Sequence, residues 1–199
     1  MPLLRLALPP DVSPLPGDVR RFLREAGQRI DRFRESHRLP GFVPSDFARV
    51  YQALHALEAV GLAPGRWFCE WGSGFGVVAC LAALLGFDAW GIETEGVLVN
   101  AARRLAADFG LPVTFTRGSF IPAASATPTQ DRAFAWLDTG AGSGYEGLGM
   151  NPDDLDVVFA YPWPDEERWT GDLFRRHARR GAVLVTYHGG ADVRLRRKV

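Results

Sequence analysis

Residues 69–76 have the sequence Cys-Glu-Trp-Gly-Ser-Gly-Phe-Gly, an acid followed by three glycines at alternate positions. An apolar run, Trp67 to Cys69, leads into it, and a second apolar run of helical length, Val77 to Leu85, follows it. Glycine adopts positive φ without steric strain and lets the backbone approach a ligand closely, so three glycines at alternate positions indicate a tight bend. We therefore predict a strand, a sharp turn and a helix, with a small molecule bound at the turn.

A carboxylate stands seventeen residues beyond the last glycine of this turn. The segment Asp88-Ala-Trp-Gly-Ile-Glu93 has the pattern of a short strand that ends on that carboxylate. In a doubly wound sheet the ends of neighbouring strands lie side by side, so Glu93 is expected beside the turn, where it can accept hydrogen bonds from a ribose diol. The turn and the carboxylate together predict an adenosine-ribose site. The alternative is a glycine-rich loop in some other α/β protein.

The spacing of the glycines separates two classes of adenosine ligand. Dinucleotide folds use Gly-x-Gly-x-x-Gly/Ala, and counting from Gly72 places Val77 at the last position. The pattern Glu-x-Gly-x-Gly-x-Gly instead resembles the first motif of the class I (seven-strand) S-adenosylmethionine methyltransferases. The matching positions are Glu70, Gly72, Ser73, Gly74 and Gly76. The resemblance implies S-adenosyl-L-methionine as the cofactor, with the turn against its methionine end and Glu93 on its ribose.

Strands and helices alternate from Arg66 onward, and such alternation indicates parallel strands joined by crossover helices. The predicted elements are strand 66–70, helix 75–85, strand 88–93, helix 95–109, strand 112–117, strand 155–160, helix 165–180, strand 182–187 and an edge strand at 192–199. Thr94 is expected to cap the second crossover helix. The predicted fold class is α/β: a Rossmann-like, doubly wound, mostly parallel sheet of the class I methyltransferase type, with an abbreviated C-terminal edge.

Residues 1–62 are predicted to form an N-terminal extension, and residues 63–199 the S-adenosylmethionine-binding domain. In the extension, residues 9–17 are rich in proline and are expected to be extended. Apolar residues at helical spacing then predict a helix over 18–38 and a second helix capped by Ser45. Both helices are expected to pack on the core of the following domain.

The fourth predicted strand ends in Ala160-Tyr-Pro-Trp163, at the edge where open α/β sheets bind ligands. Class I enzymes that methylate nitrogen often carry an Asn/Asp-Pro-Pro-aromatic motif here, so the resemblance implies catalytic roles for Tyr161, Pro162 and Trp163. Ala160 departs from the motif, because its side chain cannot accept a hydrogen bond from an amine. An aromatic cleft of Tyr161 and Trp163 can still receive an alkyl ammonium chain by cation–π attraction. The alternative is a packed strand end and turn.

Ser119 and Phe120 follow the third predicted strand, where many family members have an acidic residue that accepts the adenine amino group. The resemblance implies that the Ser119 hydroxyl substitutes for that acid and that Phe120 stacks on adenine, although Phe120 fits a core position equally well. Further candidates are His188 just after the fifth strand, and Tyr145 and Glu146 in a glycine-rich insert at 122–154. That insert is expected to be irregular, and it is either flexible or a lid over the site.

A narrower resemblance depends on the order of motifs along the chain. The turn Phe42-Val-Pro44, the glycine motif, the strand ending at Glu93 and the short tail after Tyr187 together resemble the small seven-strand protein lysine methyltransferases. In that group the Phe-Val-Pro turn lies over the methionine end of the cofactor. The predicted function is therefore methyl transfer from S-adenosylmethionine to a protein side-chain amine. The alternatives are transfer to a small molecule or a nucleic acid, and a non-catalytic cofactor-binding or scaffold module.

Composition argues against several other functions. The formal net charge is zero, so no overall attraction to nucleic acid or acidic membranes is expected. Cys69 and Cys80 have neither metal-ligand spacing nor the count of a disulfide scaffold, and no metal site is predicted. No apolar run approaches membrane-spanning length and the N-terminus lacks a signal-peptide core, so a cytoplasmic protein is expected. The expected partner is a methyl-acceptor substrate, and the resemblance implies a protein.

Overall fold

The computed structural model describes residues 2–8, 13–39, 41–123, 125 and 141–199, and these form a seven-stranded sheet with helices on both faces. Its strands are β1 (Leu3–Leu6), β2 (Trp67–Trp71), β3 (Asp88–Glu93), β4 (Val113–Arg117), β5 (Val157–Ala160), β6 (Val183–Tyr187) and β7 (Val193–Lys198). The helices are α1 (Gly17–Ser36), α2 (Phe47–Ala59), α3 (Val77–Leu84), α4 (Gly96–Asp108), α5 (Gly144–Leu148) and α6 (Glu167–His177). The strand order β1-β7-β6-β5-β2-β3-β4 confirms the predicted fold class.

The sheet is parallel from β6 to β4, and the carboxyl end of β2 lies near its centre. β2 pairs in parallel with β3 on one side and with β5 on the other. The chain therefore runs outward from β2 through β3 and β4, and then crosses over to continue through β5 and β6. Open α/β sheets bind ligands at such a reversal of strand order, outside the carboxyl ends of the strands. The fold thus directs a ligand to the residues that follow β2, β3 and β5.

The far edge of the sheet differs from the prediction, because β7 is an inner strand and β1 forms the edge. β7 pairs antiparallel with β6. β1 in turn pairs antiparallel with β7, with Leu3 opposite Lys198 and Leu6 opposite Leu195. The strand predicted at 192–199 is therefore present, but its predicted position at the edge of the sheet was wrong. The C-terminal part is short, as expected, and a strand from the N-terminal segment completes the sheet.

Two apolar cores fill the space between the sheet and its helices. Because successive strand residues point to opposite faces, Phe68 lies in the core shared with α1 to α4, and its neighbour Cys69 lies in the core shared with α5 and α6. The buried side of α1, including Phe22 and Ile30, belongs to the first core. A fully buried phenylalanine or leucine contributes about 1.5–3 kcal/mol, so the N-terminal helices add substantially to this core. None of the helices that the structure describes is both long and apolar enough to span a bilayer.

Two predicted helix caps were wrong. α2 begins after Asp46 rather than Ser45, and the Asp46 carboxylate accepts a backbone N–H hydrogen bond from the first turn at 3.1 Å. α4 begins after Glu95 rather than Thr94. The Thr94 hydroxyl instead donates to Oε1 of Glu93, the last residue of β3, at 3.3 Å, and does not cap the helix.

The glycine-rich insert contains a short helix, contrary to the expectation of irregular structure throughout. This helix is α5, which lies against β3 and β4. Its first glycine permits that contact, because a Cβ at Gly144 would lie 2.5 Å from the side chain of Ile92. Residues 124 and 126–140 of the insert lie outside the described residues. The expectation that the insert closes over the site therefore stays a prediction.

Candidate functional site

The glycine turn after β2 is fastened to the end of β3. The backbone N–H groups of Gly72 and Ser73 both donate to the carbonyl of Ile92, at 2.9 and 3.0 Å. Gly72, Gly74 and Gly76 have φ angles of +68°, +52° and +68°, which other residues adopt only with strain. The turn is therefore a fixed corner whose backbone requires glycine at alternate positions.

Glu93 lies directly beside this corner, where the sequence predicts it. Its Oε2 accepts the backbone N–H of Gly74 at 2.8 Å. Its Oε1 accepts the backbone N–H of Glu95 at 3.0 Å and the hydroxyl of Thr94 at 3.3 Å, and the residue is only 8% exposed. A carboxylate offers about four acceptor positions, and three are occupied here, so one stays open. A ligand hydroxyl that replaces the long contact from Thr94 would use a second position. Glu93 thus keeps the capacity to accept both hydroxyls of a diol.

Glu70 caps α3 from the preceding strand. The N-cap residue of α3 is Gly76, which has no side chain, and Oε2 of Glu70 instead accepts the backbone N–H of Ala79 at 2.8 Å. Burial raises the pKa of the Glu70 carboxyl well above its ordinary value. The backbone N–H groups of α3 oppose this shift, and the charge of Glu93 adds to it. An acidic group of the protein thus already occupies the N-terminus of α3, which disfavours a ligand phosphate there.

A cavity of about 880 Å³ opens over the carboxyl ends of β2, β3 and β5. This volume falls within the range of about 300–1,000 Å³ that is typical of small-molecule sites. Among the residues that line it are the predicted positions Glu70, Gly72, Ser73, Gly74, Glu93, Ser119, Phe120, Tyr161, Pro162 and Trp163. Gly76 is not among the described lining residues, because it packs beneath the turn, where a Cβ would lie 2.3 Å from the ring of Phe115.

The turn leaves both space and bonding capacity for a ligand. A Cβ built on Gly72 would meet no atom of the described residues within 4 Å. The buried Ser73 hydroxyl has no hydrogen-bond partner in the described part of the chain. Phe42 closes the corner from the N-terminal side, since its ring lies 2.8 Å from a Cβ built on Gly74. Val43 and Pro44 line the cavity with it.

Ser119 and Phe120 form the cavity wall after β4. Ser119 Oγ accepts the backbone N–H of Ile121 at 3.1 Å, so its hydroxyl proton is left to donate to a ligand acceptor atom. The Phe120 ring is stacked on Trp71, with 5.2 Å between ring centroids and 7° between planes, and it also contacts Trp169. Phe120 is therefore partly a core residue and partly a wall of the cavity.

Tyr161 and Trp163 lie at the other end of the cavity, after β5, and are 36% and 43% exposed. The Tyr161 ring packs edge-on against Tyr187, with 4.8 Å between centroids. Pro162, which stands between Tyr161 and Trp163 in the sequence, is buried. The two partly exposed rings line the cavity as a partly open aromatic wall, and their predicted catalytic roles stay a prediction.

Polar side chains that the sequence interpretation missed complete this wall. The cavity lining includes Glu166, Glu167, Asp192 and Arg194, together with the candidate His188. Arg194 donates to both oxygens of Glu167 at 2.7 and 2.8 Å and to Asp192 at 2.6 Å. Nε2 of His188 lies 2.8 Å from the Thr186 hydroxyl, and burial lowers the pKa of His188.

Two candidates do not reach the cavity. Tyr145 is 3% exposed within the second core, and burial raises its pKa well above the ordinary value. Glu146 is exposed on α5 and is absent from the described lining residues.

Comparison with known proteins supports the fold. No model of a known protein family matches the sequence, and no curated protein matches it. A methyltransferase from Geobacter sulfurreducens has a TM-score of 0.56 at 16% identity, covering 94% of this chain and 93% of that one. An RNA methyltransferase from Salinibacter ruber, in complex with S-adenosyl-L-homocysteine, has a TM-score of 0.55 at 18% identity, covering 79% of this chain and 94% of that one. An O-methyltransferase from Bacillus cereus, in complex with S-adenosyl-L-homocysteine, has a TM-score of 0.52 at 14% identity, covering 88% and 67%. The chain has the Rossmann-like fold of the class I methyltransferases.

Proposed function

We propose that the chain is an S-adenosylmethionine-dependent methyltransferase that binds its cofactor in the cavity over β2, β3 and β5. The observation that carries the proposal is the 2.8 Å hydrogen bond from the Gly74 N–H to Glu93, which joins the glycine corner and the carboxylate into one rim of the cavity. Two structures of the same fold contain S-adenosyl-L-homocysteine, which supports this cofactor. The residues proposed to hold it are Glu70, Gly72, Ser73, Gly74, Glu93, Ser119 and Phe120, with Gly76 shaping the turn from below.

The surroundings of α3 support this cofactor over a dinucleotide. In dinucleotide folds the pyrophosphate binds the free N–H groups at the start of the helix after the glycine turn. Here Glu70 already accepts one of those N–H groups and is itself acidic. Val77 in addition fills the position where the dinucleotide pattern has its third glycine or alanine.

Methyl transfer from S-adenosylmethionine requires little from the protein beyond aligning the reactants and excluding water. When bound, S-adenosylmethionine supplies a methyl group that its sulfonium already activates. The half-buried Phe42 ring over Gly74 shields that end of the cavity from solvent. Tyr161, Pro162 and Trp163 are proposed to orient the acceptor, so that its nucleophilic atom stands in line with the methyl group.

Isothermal titration calorimetry with S-adenosylmethionine and S-adenosylhomocysteine tests the proposal. Glu93→Gln should weaken both ligands at least tenfold, because an amide accepts at one atom only. Asp88→Asn, at the opposite end of the same strand, is the matched control and should bind like the native protein. Failure of the native protein to bind either ligand would defeat the proposal, and NADH binding of comparable strength would support the dinucleotide alternative.

The first acceptor to test is the lysine side chain of a protein, because the open aromatic wall suits an alkyl ammonium chain. Methyl-labelled S-adenosylmethionine should transfer label to protein when the chain is mixed with fractionated cell extract. Label in RNA or in small molecules would identify the alternative acceptors instead. Cofactor binding without transfer to any fraction would favour a non-catalytic module.

A further inference from the structure

Two consecutive acids at the start of α6 have opposite surroundings. Glu167 is paired with cations, since Arg194 donates to both of its oxygens and Arg196 lies 3.1 Å away. Burial, the largest single influence, would raise the pKa of Glu167, but the hydrogen bond from Arg194 and the charges of His188, Arg194 and Arg196 together outweigh it, and the pKa lies below the ordinary value. Glu166 is 5% exposed, and within the described residues its Oε2 accepts only the backbone N–H of Trp163, at 3.2 Å. Its Oε1 is buried with no hydrogen-bond partner among the described residues.

No cation of the described chain neutralises Glu166. The charged and titratable groups around this end of the cavity are Asp165, Glu167, His188, Asp192 and Arg194. Arg194 is already bonded to Glu167 and Asp192, and Asp165 repels a second negative charge. Burial raises the pKa of Glu166 to about 7, against the hydrogen bond from Trp163 and with the aid of Asp165. A buried acid in a cavity wall without a counter-ion is an unfavourable arrangement unless a ligand supplies the counter-ion.

We propose that this end of the cavity binds an alkyl amine that enters as its ammonium form, with Glu166 as its counter-ion and as the acceptor of its proton. The inference rests on the proposed function and names the substrate class of the same site. Tyr161 and Trp163 line the cavity with Glu166, and their partly exposed rings suit a cationic alkyl chain. A neutral hydroxyl acceptor lacks the cation–π attraction and does not neutralise the carboxylate charge, so it gains less from this end of the cavity.

Proton removal is necessary because an ammonium nitrogen has no lone pair. One N–H bond breaks, its electron pair stays on nitrogen, and the proton forms an O–H bond with Oε1 of Glu166. The charged pair thereby becomes a neutral amine and a neutral carboxylic acid. Relative to an ordinary glutamate at 4.5, a pKa of about 7 makes this transfer about 300-fold more favourable. A proton acceptor works best when its pKa lies near the operating pH.

Binding of butylammonium and of butanol, measured by calorimetry with and without S-adenosylhomocysteine, tests the inference without turnover. The native protein should bind butylammonium at least tenfold more tightly than butanol at pH 8. Glu166→Gln should remove this preference and leave the affinity for S-adenosylhomocysteine unchanged within about twofold. Asp165→Asn is the matched control, because it removes the same charge one residue away at an exposed position outside the described cavity lining.

The pH profile separates a proton acceptor from a merely structural residue. Butylammonium affinity should fall about tenfold per pH unit below pH 7, as Glu166 becomes protonated, and the Glu166→Gln profile should be flat. Glu167 and Asp192, whose pKa values are lowered, stay charged over this range, and His188, whose pKa is also lowered, stays neutral above about pH 6.5. Glu70, at the other end of the cavity, is present in both the native protein and Glu166→Gln, so it does not contribute to the difference between their pH profiles.

The outcomes distinguish this inference from the proposed function. If the native protein does not bind S-adenosylhomocysteine, the proposed function itself is wrong. Binding of S-adenosylhomocysteine together with equal affinity for butylammonium and butanol, or with no detectable butylammonium binding, would overturn the amine inference alone. A Glu166→Gln profile that keeps the native pH dependence would overturn it as well.

Discussion

Gly72→Ala is expected to weaken cofactor binding at least tenfold while it leaves the fold nearly intact. The new methyl group would meet no described atom within 4 Å, and because Gly72 lines the cavity it would project into the space proposed for the ligand. The φ angle of +68° is the only source of strain, and a left-handed alanine costs about 1–2 kcal/mol. We therefore expect the free energy of unfolding to fall by about 1–2 kcal/mol and the S-adenosylhomocysteine affinity to fall at least tenfold.

Two other glycines supply the controls. Gly61, just after α2, has a φ of +64°, also has no described atom within 4 Å of a Cβ, and lies outside the described cavity lining. Gly61→Ala should lose the same free energy of unfolding as Gly72→Ala and bind the ligand normally. At Gly76 a Cβ would lie 2.3 Å from the Phe115 ring and 2.9 Å from Ala102, and overpacking adds about 1–3 kcal/mol. Gly76→Ala should therefore be the least stable of the three.

Urea denaturation followed by circular dichroism gives the unfolding free energies, and calorimetry gives the affinities. The reasoning requires that Gly61→Ala and Gly72→Ala agree in stability and differ in binding. If the two variants bind S-adenosylhomocysteine equally well, the glycine corner does not contact the cofactor, and the position of the proposed site is wrong.

Three further predictions concern the acids and the ring around the cavity. In urea denaturation the free energy of unfolding of Glu70→Leu should be about 1–2 kcal/mol lower than that of Glu70→Gln. Both variants lack the ionisable group, and only glutamine can cap the Ala79 N–H. Equal stabilities would refute the capping role. Because the pKa of Glu166 is raised to about 7 in the folded state, its stabilising contribution is complete below about pH 4.5 and is lost as the pH rises to 7. Native stability relative to Glu166→Gln should fall by up to about 3 kcal/mol over that window, and a constant difference in urea midpoints would contradict it. Phe42→Ala removes a half-buried ring over Gly74. It should lower the free energy of unfolding by about 1–2 kcal/mol and the affinity for S-adenosylhomocysteine about tenfold. If calorimetry gives the native affinity, Phe42 is not part of the site.

The centre of the sheet could be predicted because its determinants are local in the sequence. β3 spans Asp88–Glu93, the same bounds that the apolar pattern predicts. The glycine turn was predictable because each positive φ demands a residue without a side chain, and that demand is visible at Gly72, Gly74 and Gly76. The proximity of Glu93 to the turn followed from parallel neighbouring strands alone.

The elements that were missed depend on partners distant in the chain. β1 has only four residues, and its pairing partner begins near residue 193, so no local pattern distinguishes it from a loop. α5 contains two glycines in five residues and has low intrinsic helix propensity. Close packing of Gly144 on Ile92 compensates for that propensity, and such packing is a property of the assembled fold.

Glu166 was missed for a related reason. Asp165, Glu166 and Glu167 follow Pro164 in the way that acids commonly begin a solvated helix, where they favour the helix dipole. Only the fold separates them into one exposed acid, one buried acid with no cation beside it among the described residues, and one acid bound to two arginines.

The position of β1 has a consequence for local opening of the sheet. Its pairing with β7 joins residues nearly two hundred positions apart, so it closes a very long loop, and in return it gains a four-residue ladder and the partial burial of Leu3 and Leu6. Amide hydrogens of β1 should therefore exchange with solvent early, through fraying that leaves most of the sheet intact. Since β7, β6 and β5 separate β1 from the glycine corner, this fraying can proceed while a ligand remains bound.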